Sequence, residues 1–156
     1  MSPLHIELAS GLSDEETVAL LALGKTLPLR RGEHLFRLGA VADAVYVVEQ
    51  GRVALTLPMR IRNGEEEVVL EEKSPGETLG WSGLVPPHRF TLTATAALPS
   101  EVRCFPRAAL LDHFRTRPAV GYLVTANLAA VMGHRLQVFQ TMWLREMQRS
   151  VEYRYA

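Results

Sequence analysis

The sequence predicts a mainly β protein with flanking helices: a double-stranded β-helix, or jelly-roll-like β roll, over 27–105, then a short helix over 106–117 and a long one over 119–153. Three observations point that way. Between Leu27 and Phe105, short runs rich in β-branched and aromatic residues alternate with Gly, Pro and Asn turn signals. On either side the apolar period lengthens from the twofold repeat of a strand to the three-to-four repeat of a helix. Pro106 and Pro118 punctuate the C-terminal part, one where a helix can begin and one where it must break.

Each element has its own signal. Ser13 followed three residues later by Glu16 is a capping-box pattern, and Val18, Leu20, Leu21 and Leu23 run on to Gly24, so a first helix is expected over 12–24. In "AVYVVEQGRVALTL" two strand-like runs meet at a Gly51 turn, with Val53, Leu55 and Leu57 alternating against Ala54 and Thr56. Asn63-Gly64 offers the positive φ angles of a two-residue hairpin turn, which puts Ile61 and Val68 on strands that face each other. "FTLTATAAL" and "EVRCF" add two more β runs, and "RAALLDHFRTR" after Pro106 is helical.

From Ala119 no further proline interrupts the chain, and Ala129, Met132, Leu136, Phe139 and Trp143 recur at three- and four-residue spacing, with Arg135, Arg145 and Arg149 off that line. At about 1.5 Å per residue such a helix overhangs a domain this small. Its first turns are therefore expected on the roll. Its far half is expected to pair through Met132, Leu136, Phe139 and Trp143 with the same helix of a second chain, giving a homodimer.

With 156 residues, 47% of them hydrophobic and 22% charged, the span 1–156 reads as a single domain with a real core. Lys plus Arg and Asp plus Glu stand at 17 each, so no overall field attracts nucleic acid or anionic membrane. Any binding must be local. The single Cys104 excludes an internal disulfide and a four-cysteine cluster, and its place in "EVRCFP" suits a small buried hydrophobe. "MSPLHIELASG" has neither the basic start nor the apolar run of a signal sequence, and nowhere do about 18 apolar residues follow one another. A soluble, cytoplasmic protein with no membrane contact is expected.

The stretch "PGETLGWSGLVPPHRFTLTATA", Pro75 to Ala96, breaks the β texture with Gly76, Gly80, Gly83 and the pair Pro86-Pro87. Consecutive amides of a Gly-rich turn that opens a short helix are fixed donors for an anion, and an arginine adds a bidentate cation. Leu79-Gly80 enters the turn, the amides of Ser82, Gly83 and Leu84 are the candidate donors, and Arg89 is the candidate cation. Gly80 and Gly83 permit close approach. Thr91 adds a hydroxyl.

Taken in order, these features resemble the cyclic-nucleotide-binding domain of the catabolite-activator and FNR class of bacterial regulators, over roughly Leu27 to Arg149. "RRGEHLFRLGAVADAVYVVEQGRVAL" looks like that family's opening strands, with the Gly32-Glu33 turn, Gly39, Asp43, Tyr46 and a hairpin closed at Gly51; the Pro75–Ala96 stretch occupies the place of its phosphate-binding cassette; "HRLQVFQ" is similar to its dimerising helix. The resemblance implies a ligand such as cyclic AMP or another cyclic nucleotide, held between roll and long helix, with no resident cofactor. It also exposes departures. Trp81 stands where members that bind cyclic AMP place a Glu for the ribose 2′-hydroxyl, and Glu77, three residues before Gly80, is no substitute. Arg89 falls within a residue or two of the family's arginine. Phe139 and Gln140 stand where some members present small hydroxyl residues to the base, and Gln140 offers both donor and acceptor there.

A non-catalytic, ligand-sensing regulatory module follows, with a small anionic ligand shifting a helix pair between two arrangements. The alternative is a degenerate domain, its pocket occluded by Trp81, that serves dimerisation or partner binding. An enzyme or metal site is not expected: the five histidines at 5, 34, 88, 113 and 134 are scattered, without His-x-His, and no Ser, His and Asp set stands out. Relatives of this class read DNA through a helix-turn-helix after the long helix. The given chain ends at Ala156, so no direct DNA binding by it is expected.

Overall fold

The computed structural model describes residues 4–156; residues 1–3 of the expected domain lie outside the described residues. Among the described residues, eight strands form two four-stranded sheets. They are β1 Lys25–Leu29, β2 His34–Phe36, β3 Ala44–Gln50, β4 Val53–Ile61, β5 Gly64–Lys73, β6 Thr78–Leu79, β7 Thr93–Ala96 and β8 Ser100–Pro106. One sheet runs β1-β8-β3-β6, the other β2-β7-β4-β5, and every paired neighbour is antiparallel. Helices α1 Asp14–Leu21, α2 Arg107–Thr116 and α3 Pro118–Tyr155 flank this roll, with 3-10 turns at Glu7–Ala9 and Trp81–Gly83. The mainly β class, the short helix and the long C-terminal helix are those predicted.

The strand β3 explains how the layers stack. Its side chains alternate: Tyr46 and Val48 enter the core between the sheets with Val53, Leu55 and Val102, while Val45 and Val47 join Phe105 on the outer face, beneath Leu20, Leu110, Val124 and Leu128. A strand covered on both faces reads as a continuous apolar run, which is what "AVYVV" is.

Three local expectations are corrected. Gly51 does not close a hairpin, because β3 and β4 belong to different sheets; with φ of 85° it carries the chain across, its α-carbon against Pro99 and Ser100, where a Cβ would collide. The β4–β5 turn falls on Arg62-Asn63, with positive φ at Arg62, and Gly64 already pairs with Ile61. Val68 faces Leu57 on these paired strands. The first helix is shorter than 12–24, although its capping box forms as predicted between Ser13 and Glu16.

Pro106 ends β8 and caps α2 rather than opening it, and Pro118 sits in the first turn of α3, where a missing N–H leaves no bond unmade. At 38 residues α3 is roughly 57 Å long. Its buried residues, Val120, Gly121, Val124, Leu128 and Val131, all lie in its first half. Asn127 pins that half by donating from Nδ2 to the carbonyls of Leu8 and Ser10, 2.9 Å each. No described helix is long and apolar enough to cross a membrane.

Candidate ligand-binding site

The Gly-rich turn sits where β6 leaves its sheet and runs into Trp81–Gly83. Gly80 takes φ of 76°, and a Cβ there would stand 3.0 Å from Tyr46 and 3.4 Å from both Phe36 and Phe90. Only glycine fits both demands. Gly83 is pressed against the Ala44 carbonyl, its own carbonyl accepting 3.0 Å from the Arg107 guanidinium, which also bonds Ala42. His88 Nδ1 donates to the Ser82 carbonyl at 2.9 Å. The turn is therefore fixed from three sides.

Its amides are largely spent within the turn. Gly83 N–H donates to the Gly80 carbonyl at 2.9 Å and Leu84 N–H to Trp81 at 3.0 Å, the bonds that make the segment a 3-10 turn. Among the described residues, the Ser82 amide alone of the three expected donors has no partner. Leu84 packs outward into the cluster beneath α3.

Arg89 does not face the turn. Residues 88–90 run antiparallel to residues 39–42, with Phe90 N–H to Ala40 and Ala42 N–H to His88, and strand alternation sends Phe90 inward and Arg89 outward. Arg89 is exposed and donates from Nη1 to the Gly39 carbonyl at 3.0 Å. Phe90 instead stacks on Phe36, centroids 3.8 Å apart and planes 7° off parallel, with Tyr46 5.7 Å from Phe36. The cavity left beside these rings is about 10 Å³, at the lower limit for one water.

Beside this filled interior lies an open groove of about 420 Å³ between the turn and α3. Trp81 and Thr91 form one wall; Met132, Gly133, Leu136 and Phe139 form the other. Trp81, half-buried, separates the two spaces and lines both. Gln140, exposed on α3, lines neither. Of the expected site residues the fold thus gathers Gly80, Trp81, Ser82 and Thr91, and leaves Gly83, Leu84, Arg89 and Gln140 outside. Of the expected dimer residues, Met132 packs partly under the roll while Leu136, Phe139 and Trp143 stay exposed, Trp143 at 63%.

The cation that does reach the site is Arg135. It lines both spaces, its side chain 11% exposed. It lies four residues after Val131 and seven after Leu128, on the line of α3 that faces the roll, which is the signal that marks it. Arg135 Nη2 donates to Glu71 Oε2 at 3.1 Å, and Lys73 Nζ, 5% exposed, donates to Glu71 Oε1 at 2.8 Å. Glu77 stands 3.9 Å from the same Lys73. Burial pushes the Glu71 carboxyl up, but the Lys73 hydrogen bond and charge, with those of Arg135, outweigh it and hold the group below its ordinary value. On the paired strands β3 and β8, burial pushes up the Tyr46 phenol and the half-buried Cys104 thiol opposite it.

Residues 26–117 match the family described as the cyclic nucleotide-binding domain. The chain is 30% identical over 130 residues to the cyclic AMP receptor protein of Thermus thermophilus, covering 83% of this chain and 57% of that protein. It resembles the crystal structure of the Thermus thermophilus catabolite activator protein with a TM-score of 0.74 and 28% identity, over 91% of this chain and 63% of that one. It also resembles the N-terminal domain of a transcriptional regulator from Streptomyces coelicolor A3(2), with a TM-score of 0.69 and 28% identity, over 83% and 90%. The chain spans less than two thirds of the two Thermus chains.

Proposed function

The chain belongs to the cyclic nucleotide-binding domain family, and from that premise we propose a non-catalytic, ligand-sensing regulatory module that works as a homodimer through α3. The ligand enters the groove between Trp81 and α3 rather than the interior of the roll. One observation carries this: the apolar side of α3 that walls the groove at Met132, Leu136 and Phe139 continues past it to exposed Trp143. An unpaired apolar stripe of that length is costly in water, and a second α3 covers it by heptad packing. A ligand against the near end of the stripe would then bias how two helices pair.

The filled interior favours a second reading, in which the module only dimerises and senses nothing. Phe36 and Phe90 occupy the space, Trp81 replaces the ribose-binding carboxylate, and Arg89 faces away. A nucleotide phosphate finds there only Arg135, already paired with Glu71, and the single free amide of Ser82. Both readings share the dimer. Sedimentation velocity at micromolar concentration should show a dimer, converted to a monomer of unchanged helicity by Leu136→Glu with Trp143→Glu. A monomeric wild-type protein at that concentration removes the α3 pairing.

A further inference from the structure

We propose that the groove beside α3 takes a small amphipathic monoanion, an aromatic carboxylate or its equivalent, whose acid group replaces Glu71 on Arg135; this rests on the groove being the sensing site. Arg135 is the one charged residue among those lining the groove, and its other lining is apolar or a single hydroxyl, Thr91. A volume of about 420 Å³ with aromatic side chains on opposite walls, Trp81 and Phe139, suits one flat ring system. A ring system without an acid would leave the cation as it is; one with an acid gains a bidentate, charge-assisted pair.

The ion chain makes the exchange feasible. Glu71 divides its oxygens, Oε2 to Arg135 and Oε1 to Lys73. When Arg135 turns to an incoming acid, Glu71 keeps its 2.8 Å bond to the buried Lys73, so neither the carboxylate nor the ammonium is left unpaired in low dielectric. Arg135 sits on α3 and Glu71 on β5, so the exchange releases a tie between helix and roll. Ligand binding thereby acts on the same helix that dimerises.

A second copy is a poorer occupant for this part of the groove. Successive helix residues point about 100° apart, so the line through Leu136 and Trp143 lies to one side of Arg135, which faces the roll and Glu71. The stripe such a partner would bring, Met132, Leu136, Phe139 and Trp143, carries no acid to meet a guanidinium. Gly133 keeps the space open: a Cβ there would meet nothing within 4 Å.

The test uses 1-naphthoate and its uncharged amide as probes on the full chain, with affinity read by tryptophan fluorescence and calorimetry. Naphthoate is expected to bind at least tenfold more tightly than the amide. Arg135→Gln should remove that preference, Glu71→Gln should raise naphthoate affinity several-fold by freeing Arg135, and Gly133→Leu should block both probes without harming the fold. Equal affinity for acid and amide, or indifference to Glu71→Gln, overturns the proposal even should Arg135→Gln fail to fold. Cyclic AMP binding with no response to naphthoate leaves the sensing module standing and removes only this inference. A wild-type chain that binds neither naphthoate nor cyclic AMP removes the inference, and the sensing site it rests on loses its support as well.

Discussion

The inside of the roll and the groove beside α3 share a wall, Trp81 and Arg135, yet one is full and the other open. Inside, Phe36, Tyr46 and Phe90 close on Gly80 until about 10 Å³ is left; outside, no side chain crosses about 420 Å³. Filled space holds a fold together, and open space with a cation at its edge is available for a ligand. The difference teaches that the same glycines serve the close packing of a fold as readily as the approach of a ligand. Here Gly80 makes room for the rings of Tyr46, Phe36 and Phe90.

That contrast fixes an order of effects. Phe90→Ala removes a buried ring from the stack and should cost about 3–5 kcal/mol in denaturant unfolding. A loss under about 1 kcal/mol would mean that the interior is loosely filled. Glu71→Gln acts at the shared wall through pH. Because the folded carboxyl is held below its ordinary value of 4.5, its stabilising contribution is present above that pH and lost as pH falls through the lower, folded value. The wild-type protein should thus lose stability on acidification more steeply than Glu71→Gln, and parallel unfolding curves from pH 7 to 3 would contradict the ion chain. Gly133→Leu comes last: it fills open space and relieves a helical glycine, so thermal unfolding should show a gain of about 0.5–1 kcal/mol. Destabilisation there would mean that the groove is already occupied.

The sequence carried much of this and missed the rest for physical reasons. Period and punctuation suffice for a roll between two helical ends, because Ser13 with Glu16 and the prolines at 106 and 118 act locally. Gly51 does not distinguish a hairpin from a crossing, because a strand pair within one sheet and a crossing between sheets demand the same glycine. For Arg89, register decided everything. A shift of one residue in a strand exchanges inside for outside, so "HRFT" places either the guanidinium or the phenyl ring inward, and the pairing of residues 88–90 with 39–42 selects the ring. Arg135 is hard to place from sequence because a cation off the apolar stripe looks solvated, whereas the roll-facing line through Val124, Leu128 and Val131 runs straight to it.

Amide chemical-shift mapping of the assigned protein during a cyclic AMP titration to millimolar concentration tests most directly whether the roll is closed to nucleotides. A closed roll leaves Phe36, Gly80 and Phe90 unmoved throughout. Saturable shifts at those three residues, with the Phe36 and Phe90 rings parting to admit the nucleotide, would contradict it.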